Sequence, residues 1–181
     1  MQRSLAVLLA STVFAVSGVA SAHDIVRSER ALGGNENPPV VSEGWARLSV
    51  QMFPNRIRYW LRYDVASDSS DVTQAHIHIA NPGNNGGIAV FLCSNLTPAT
   101  GSGADGIPAC PPSPGRVHGT ISMDDVLEVT GEIGGNPVTI IEAGDLEGLK
   151  RLIRQSAAYV NVHTDAHPAG EVRGQMNPRR R

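Results

Sequence analysis

The chain has 181 residues, with 15 Lys and Arg against 17 Asp and Glu, for a formal net charge of −2. That balance excludes the broadly basic composition of a nucleic-acid-binding protein, and the length suits one domain with a hydrophobic core. Two cysteines, Cys93 and Cys110, are too few for a disulfide-rich scaffold or a cysteine-based metal centre.

The first element is a leader. Arg3 supplies a basic start, Leu5 to Val16 an apolar run, and Ala20, Ser21 and Ala22 a small-residue cleavage site. The chain is therefore expected to be exported, to the periplasm or beyond, with His23 as the first mature residue and residues 23–181 as a single domain. No later run approaches the roughly 18 consecutive apolar residues of a membrane span. In an oxidising compartment Cys93 and Cys110 are expected to form a disulfide that staples the Gly- and Pro-rich insert 94–109.

Short strands follow, separated by Gly, Pro, Asn and Asp. "WARLSVQMF" (45–53) alternates and passes through Pro54 and Asn55 into "RIRYWLRYDV" (56–65). In the second of these Ile57, Tyr59, Leu61, Tyr63 and Val65 share one face, while Arg56, Arg58, Trp60, Arg62 and Asp64 share the other, the pattern of a half-buried antiparallel strand. "VTQAHIHIA" (72–80), "IAVFLC" (88–93) and "GRVHGTIS" (115–122) read as further strands, with "NPGNNGG" (81–87) as a turn. Leu146, Leu149, Leu152 and Ile153 recur at helical spacing behind Asp145, a candidate N-cap. "AAYVNVHT" and "GEVRGQM" then form a hairpin closed by "DAHPA". Arg179, Arg180 and Arg181 read as a solvated tip. The expected fold is all-β: an immunoglobulin-like or Greek-key antiparallel β-sandwich or barrel with one short helix.

Alternation also selects a polar face. His76 and His78 project beside Gln74, opposite Ala75, Ile77 and Ile79. In the final hairpin Tyr159, Asn161 and His163 share one face, as do Glu171, Arg173 and Gln175. A His-x-His pair with a distant third histidine suits copper or zinc, because imidazole nitrogens ligate both and same-face positions bring two ligands together without strain. His76, His78 and His163 are the candidate ligands. A second reading makes the same residues a buried hydrogen-bonded network with Asn161, Glu171, Arg173 and Gln175 that fixes sheet register. His23 is a separate copper candidate, its imidazole lying beside the amine that cleavage frees. Catalytic signatures are missing: there is no G-x-S-x-G, no phosphate-binding glycine loop and no H-E-x-x-H.

The segments "LGGNENPPV" (32–40), "AHIHIANPGNNGGIAVFL" (75–92) and "YVNVHTDAHPAGEVRGQ" (159–175) together resemble the CHRD domain, first described in chordin and common in exported bacterial proteins. The resemblance spans about residues 28–177 and implies a compact, extracytoplasmic, immunoglobulin-like β-domain. The expected function is thus a non-enzymatic module that binds a protein or envelope partner, with no nucleic-acid ligand. The alternative is a periplasmic copper- or zinc-binding protein.

Overall fold

A computed structural model describes residues 24–65, 71–96 and 106–178. The expected leader, His23 and Arg179 to Arg181 lie outside the described residues.

The alternating segments form strands as expected. β1 (Ile25–Ser28) and β2 (Ala31–Leu32) are short; β3 (Trp45–Phe53) and β4 (Arg56–Asp64) form a long hairpin; β5 (Val72–Ile79), β6 (Gly87–Ser94) and β7 (Gly115–Ile121) follow. β8 (Val129–Ile133) and β9 (Asn136–Ile141) pair with each other in a separate two-stranded sheet. Helix α1 (Leu146–Arg154) precedes β10 (Ala158–Thr164) and β11 (Val172–Asn177). Nine strands make one antiparallel sheet in the order β6-β5-β10-β11-β1-β3-β4-β7, with β2 bridging β11 and β3.

Period-two alternation decides what faces the core. Ala46, Leu48, Val50 and Met52 of β3, and Ile57, Tyr59, Leu61 and Tyr63 of β4, are all buried. Their partners on the other half are Ala75, Ile77 and Ile79 of β5 and Ala158, Val160 and Val162 of β10. The Tyr59 hydroxyl donates to the carbonyl of Leu92 at 2.7 Å. β4 and β6 lie far apart in the strand order, so this bond shows that the sheet curls until its two ends enclose one core, a sandwich- or barrel-like arrangement. Tyr63 donates likewise to the carbonyl of Pro111. Both rings lie over glycines of β7, since Tyr59 pairs with Gly119 and Tyr63 with Gly115. A Cβ on Gly119 would fall 2.6 Å from the Tyr59 hydroxyl.

The helix follows its sequence pattern. The Asp145 carboxylate accepts from the Gly148 N–H at 2.8 Å and caps the first turn, while Leu149 and Ile153 are fully buried. Lys150 is buried as well, its ammonium donating to the Pro54 carbonyl at 2.8 Å and to Glu147 at 2.6 Å. Cys93 and Cys110 are disulfide-bonded. Cys93 lies within β6 with no exposure, so the staple is anchored in the core itself.

Candidate metal centre

The antiparallel pairing of β5 with β10 sets Tyr159 beside His78, Asn161 beside His76 and His163 beside Gln74. Side chains of one face on paired strands are neighbours directly and diagonally, which draws His163 towards His76. The three imidazoles form a cluster, with ring centroids 5.4 Å apart for His76 and His78, 4.9 Å for His76 and His163, and 6.4 Å for His78 and His163. One ring nitrogen of each lies within 4.8 Å of the others.

Outer hydrogen bonds fix which nitrogens are free. His78 Nδ1 lies 2.9 Å from the carbonyl of Gly86, and His163 Nδ1 lies 2.9 Å from that of Pro168. A carbonyl only accepts, so in both rings Nδ1 carries the proton and Nε2 presents a lone pair. Nε2 of both residues is buried without a hydrogen-bond partner, as are both nitrogens of His76. A donor–carbonyl bond behind a bare Nε2 is the support that orients metal-ligating histidines elsewhere.

The surroundings keep the rings neutral. Burial, followed by the neighbouring imidazoles of His163 and His78, pushes His76 down to about 2. Burial lowers His78 to about 4 against the opposing pull of its bond to Gly86, and burial also lowers His163. Phe91, paired with His76 across β6, stands edge-on to that ring at 4.5 Å. His78 stacks on Tyr159 with centroids 4.8 Å apart and planes 3° from parallel, and the Arg173 guanidinium lies 3.5 Å from the centre of the same tyrosine ring.

Two loops seal this half of the outer face. Asn37 donates to the carbonyl of Gly83 and Asn85 to that of Asn37, both at 2.9 Å, which clamps residues 35–39 onto residues 81–86. Arg173 donates to the carbonyl of Asn84 at 2.6 Å and to the Asn85 side chain at 3.2 Å, and Gln175 to the carbonyl of Ala80 at 3.0 Å. Beneath them Glu36 receives the Asn161 amide at 3.4 Å. Burial raises the Glu36 carboxyl to about 7, opposed by the positive charge of Arg173.

The CHRD domain family matches residues 30–176. The chain belongs to the CHRD domain family. No curated protein and no solved structure matches it. The three segments that carry the CHRD likeness in the sequence are thus the parts that build and cover one site: residues 32–40 and 81–87 give the clamped loops, and the His-x-His strand with the final hairpin gives the cluster.

Not every residue picked out by alternation joins that cluster. In this CHRD domain Arg173 and Gln175 face the covering loops and Asn161 reaches Glu36, but Glu171 points elsewhere. Its carboxylate accepts from Thr164 at 2.8 Å and from Ser42 at 2.7 Å, a separate buried network at the end of the hairpin. β11 begins only at Val172, so strand alternation does not govern Glu171. The carboxylate nearest Arg173 and Asn161 comes instead from Glu36, a residue that sequence periodicity has no means of selecting. His118 is exposed on β7, and His167 sits in the hairpin turn.

The residues present fit a copper or zinc ion. Ligation at about 2.0–2.1 Å in tetrahedral or trigonal geometry spaces the nitrogens about 3.4 Å apart. The ring nitrogens lie within 4.8 Å of one another, so they must close by up to about 1.4 Å to reach that spacing. Neutral imidazoles are the ligating form, and burial holds them in it.

Proposed function

We propose that this CHRD domain is an exported, non-enzymatic metal-binding module in which His76, His78 and His163 hold one copper or zinc ion. The observation that carries the reading is the set of four buried ring nitrogens without partners, two of them Nε2 atoms whose rings are tied by Nδ1–H to backbone carbonyls. An unpaired buried polar atom costs about 1–3 kcal/mol. An ion satisfies three of these at once, whereas the network of Asn161, Arg173 and Gln175 satisfies none. Three protein nitrogens leave one position of a tetrahedral ion for water or an outside donor. Export is supported by the leader-like residues 1–22, the Cys93–Cys110 disulfide and family membership.

The test is metal content of the purified chain beginning at His23, followed by calorimetric titration with Zn(II) and Cu(II) of the wild type, of His76→Ala/His78→Ala, and of His23→Ala. One equivalent bound by the wild type and His23→Ala, and lost in the double variant, is the expected outcome. At 100-fold excess over its Kd the ion adds about 2.7 kcal/mol to unfolding stability. Binding that follows His23 alone, or no binding, refutes the three-histidine site and leaves the cluster as sheet architecture.

A further inference from the structure

Among the described residues, the other half of the sheet's outer face is largely exposed and basic. Pairing of β3, β4 and β7 sets Arg47 opposite Arg62 and Arg62 opposite Arg116, three guanidinium groups in one row across three strands. All three are exposed, and none forms an ion pair among the described residues. Like charges directly opposite in a sheet repel. A chain with more acids than bases has nevertheless gathered arginines here, and the one carboxylate on this face of β4 is Asp64, paired with Trp45.

Two indoles bracket the row. Trp45 lies one alternation step before Arg47 on β3, and Trp60, 43 % exposed, lies one step beyond Arg62 on β4, opposite Ser49 and His118. At about 3.4 Å per residue the two indoles stand roughly 14 Å apart along the strands. They border a shallow groove of about 490 Å³, lined also by Arg30, whose guanidinium covers the Trp45 ring at 5.4 Å.

We propose that this groove docks an anionic glycan, a polysaccharide bearing carboxylates or sulfates, with the exposed Trp60 as a sugar platform, Arg47 and Arg62 reading the charges beside it, the Arg30–Trp45 pair closing the far end, and Arg116 extending the charged row beyond the groove. Guanidinium forks match carboxylate and sulfate oxygens in bidentate fashion. Indole faces stack against the C–H faces of pyranose rings, and an extended chain lying along the strands meets the Trp60 platform, then Arg62 and Arg47, then the Arg30 guanidinium over Trp45. Complementary charge also relieves the repulsion in the arginine row. A duplex nucleic acid would satisfy the charges and leave the indoles unused; a lipid surface accepts indoles, but it would meet Arg47, Ser49 and Arg62 between them and no apolar stripe to bury.

The test titrates the full chain with heparin, polygalacturonate, neutral dextran, phosphatidylglycerol vesicles and duplex DNA, read by tryptophan fluorescence and calorimetry. Expected is binding to heparin or polygalacturonate and not to dextran, weakened as salt rises because the contacts are ionic. Arg62→Glu/Arg116→Glu should lose tenfold or more in affinity with a shallower salt slope. Trp60→Ala should lose several-fold at unchanged salt slope. All these side chains are exposed, so melting temperatures should hold. Equal or tighter binding to vesicles or DNA, affinity unchanged in the arginine variant (as a role for Arg179 to Arg181 would give), or no glycan binding overturns the proposal.

Discussion

Acidifying the metal-stripped protein should destabilise it steeply between pH 6.5 and pH 4, and Glu36 should blunt that loss. In an unfolded chain imidazoles titrate near 6.5. In the folded chain His76 is held at about 2 and His78 at about 4. A base whose folded pKa is depressed contributes stability above its unfolded value, and that contribution is lost as pH falls towards the folded value. Going from pH 7 to pH 4, each ring stays neutral in the fold over roughly 2.5 pH units while the unfolded chain takes up its proton. At 1.36 kcal/mol per unit this is about 3 kcal/mol per ring. His163 acts in the same direction. Glu36 acts oppositely: an acid raised from 4.5 to about 7 contributes stability at low pH and loses it as pH climbs through that window. On acidification it returns about 3 kcal/mol by the same arithmetic. Two rings against one carboxyl leave a net loss of about 3 kcal/mol by pH 4, with His163 adding to it, a large part of a typical 5–15 kcal/mol. Replacing Glu36 by Gln removes the offset, so the loss should reach about 6 kcal/mol or more. Urea unfolding in EDTA at pH 7, 6, 5 and 4, followed by circular dichroism, measures both curves. Wild-type stability that is flat from pH 6.5 to 4, or parallel curves for wild type and Glu36→Gln, would refute the reasoning.

Three further outcomes are expected. Cys93→Ala/Cys110→Ala should lower unfolding stability by about 3 kcal/mol, because the bond closes a 17-residue separation and is rooted in β6; a loss below 1 kcal/mol in urea titrations would show that the insert is already constrained without it. Tyr59→Phe should cost about 1–2 kcal/mol by orphaning the buried Leu92 carbonyl across the curled sheet, and thermal melts that overlay wild type would contradict that bond. Gly119→Ala should cost about 1–3 kcal/mol by forcing the Tyr59 ring aside, while Gly34→Ala, with nothing within 4 Å of the added carbon, should be nearly neutral; equal effects would remove the packing argument.

Strands with strict alternation were legible almost to the residue, as β3 and β4 show, because a half-buried strand must sort its side chains by face; β5, buried on both faces, was legible from its alternating polar and apolar residues instead. Asp145 and the leucines behind it marked α1 for an equally local reason. β1 and β2 were missed: four and two residues are too few to display a period. The β8–β9 hairpin was missed although it carried a signal, since Gly134 and Gly135 both take positive φ, 59° and 80°, the requirement of a two-residue hairpin turn. Within the site, the histidine face followed from alternation, yet its closure did not. Glu36 meets Asn161 across 125 residues, and no local pattern encodes strand order.

The loops, more than the strands, divide this sheet into two chemistries. Both halves of the outer face alternate in the same way, and both carry cationic or basic side chains. On β5, β10 and β11 the Asn37–Gly83 and Asn85–Asn37 bonds clamp two Asn-, Pro- and Gly-rich loops over the face, so its imidazoles lie in a dry site and stay neutral. On β3, β4 and β7 the side chains of Arg47, Arg62 and Arg116 are exposed to solvent. A covered polar face must satisfy its nitrogens internally, which favours an ion at fixed geometry. An open one can wait for a long, flexible, charged chain. The Asn37–Gly83, Asn85–Asn37 and Arg173–Asn84 bonds, which carry no chemistry of their own, therefore go with a buried histidine face on one half and an exposed arginine face on the other.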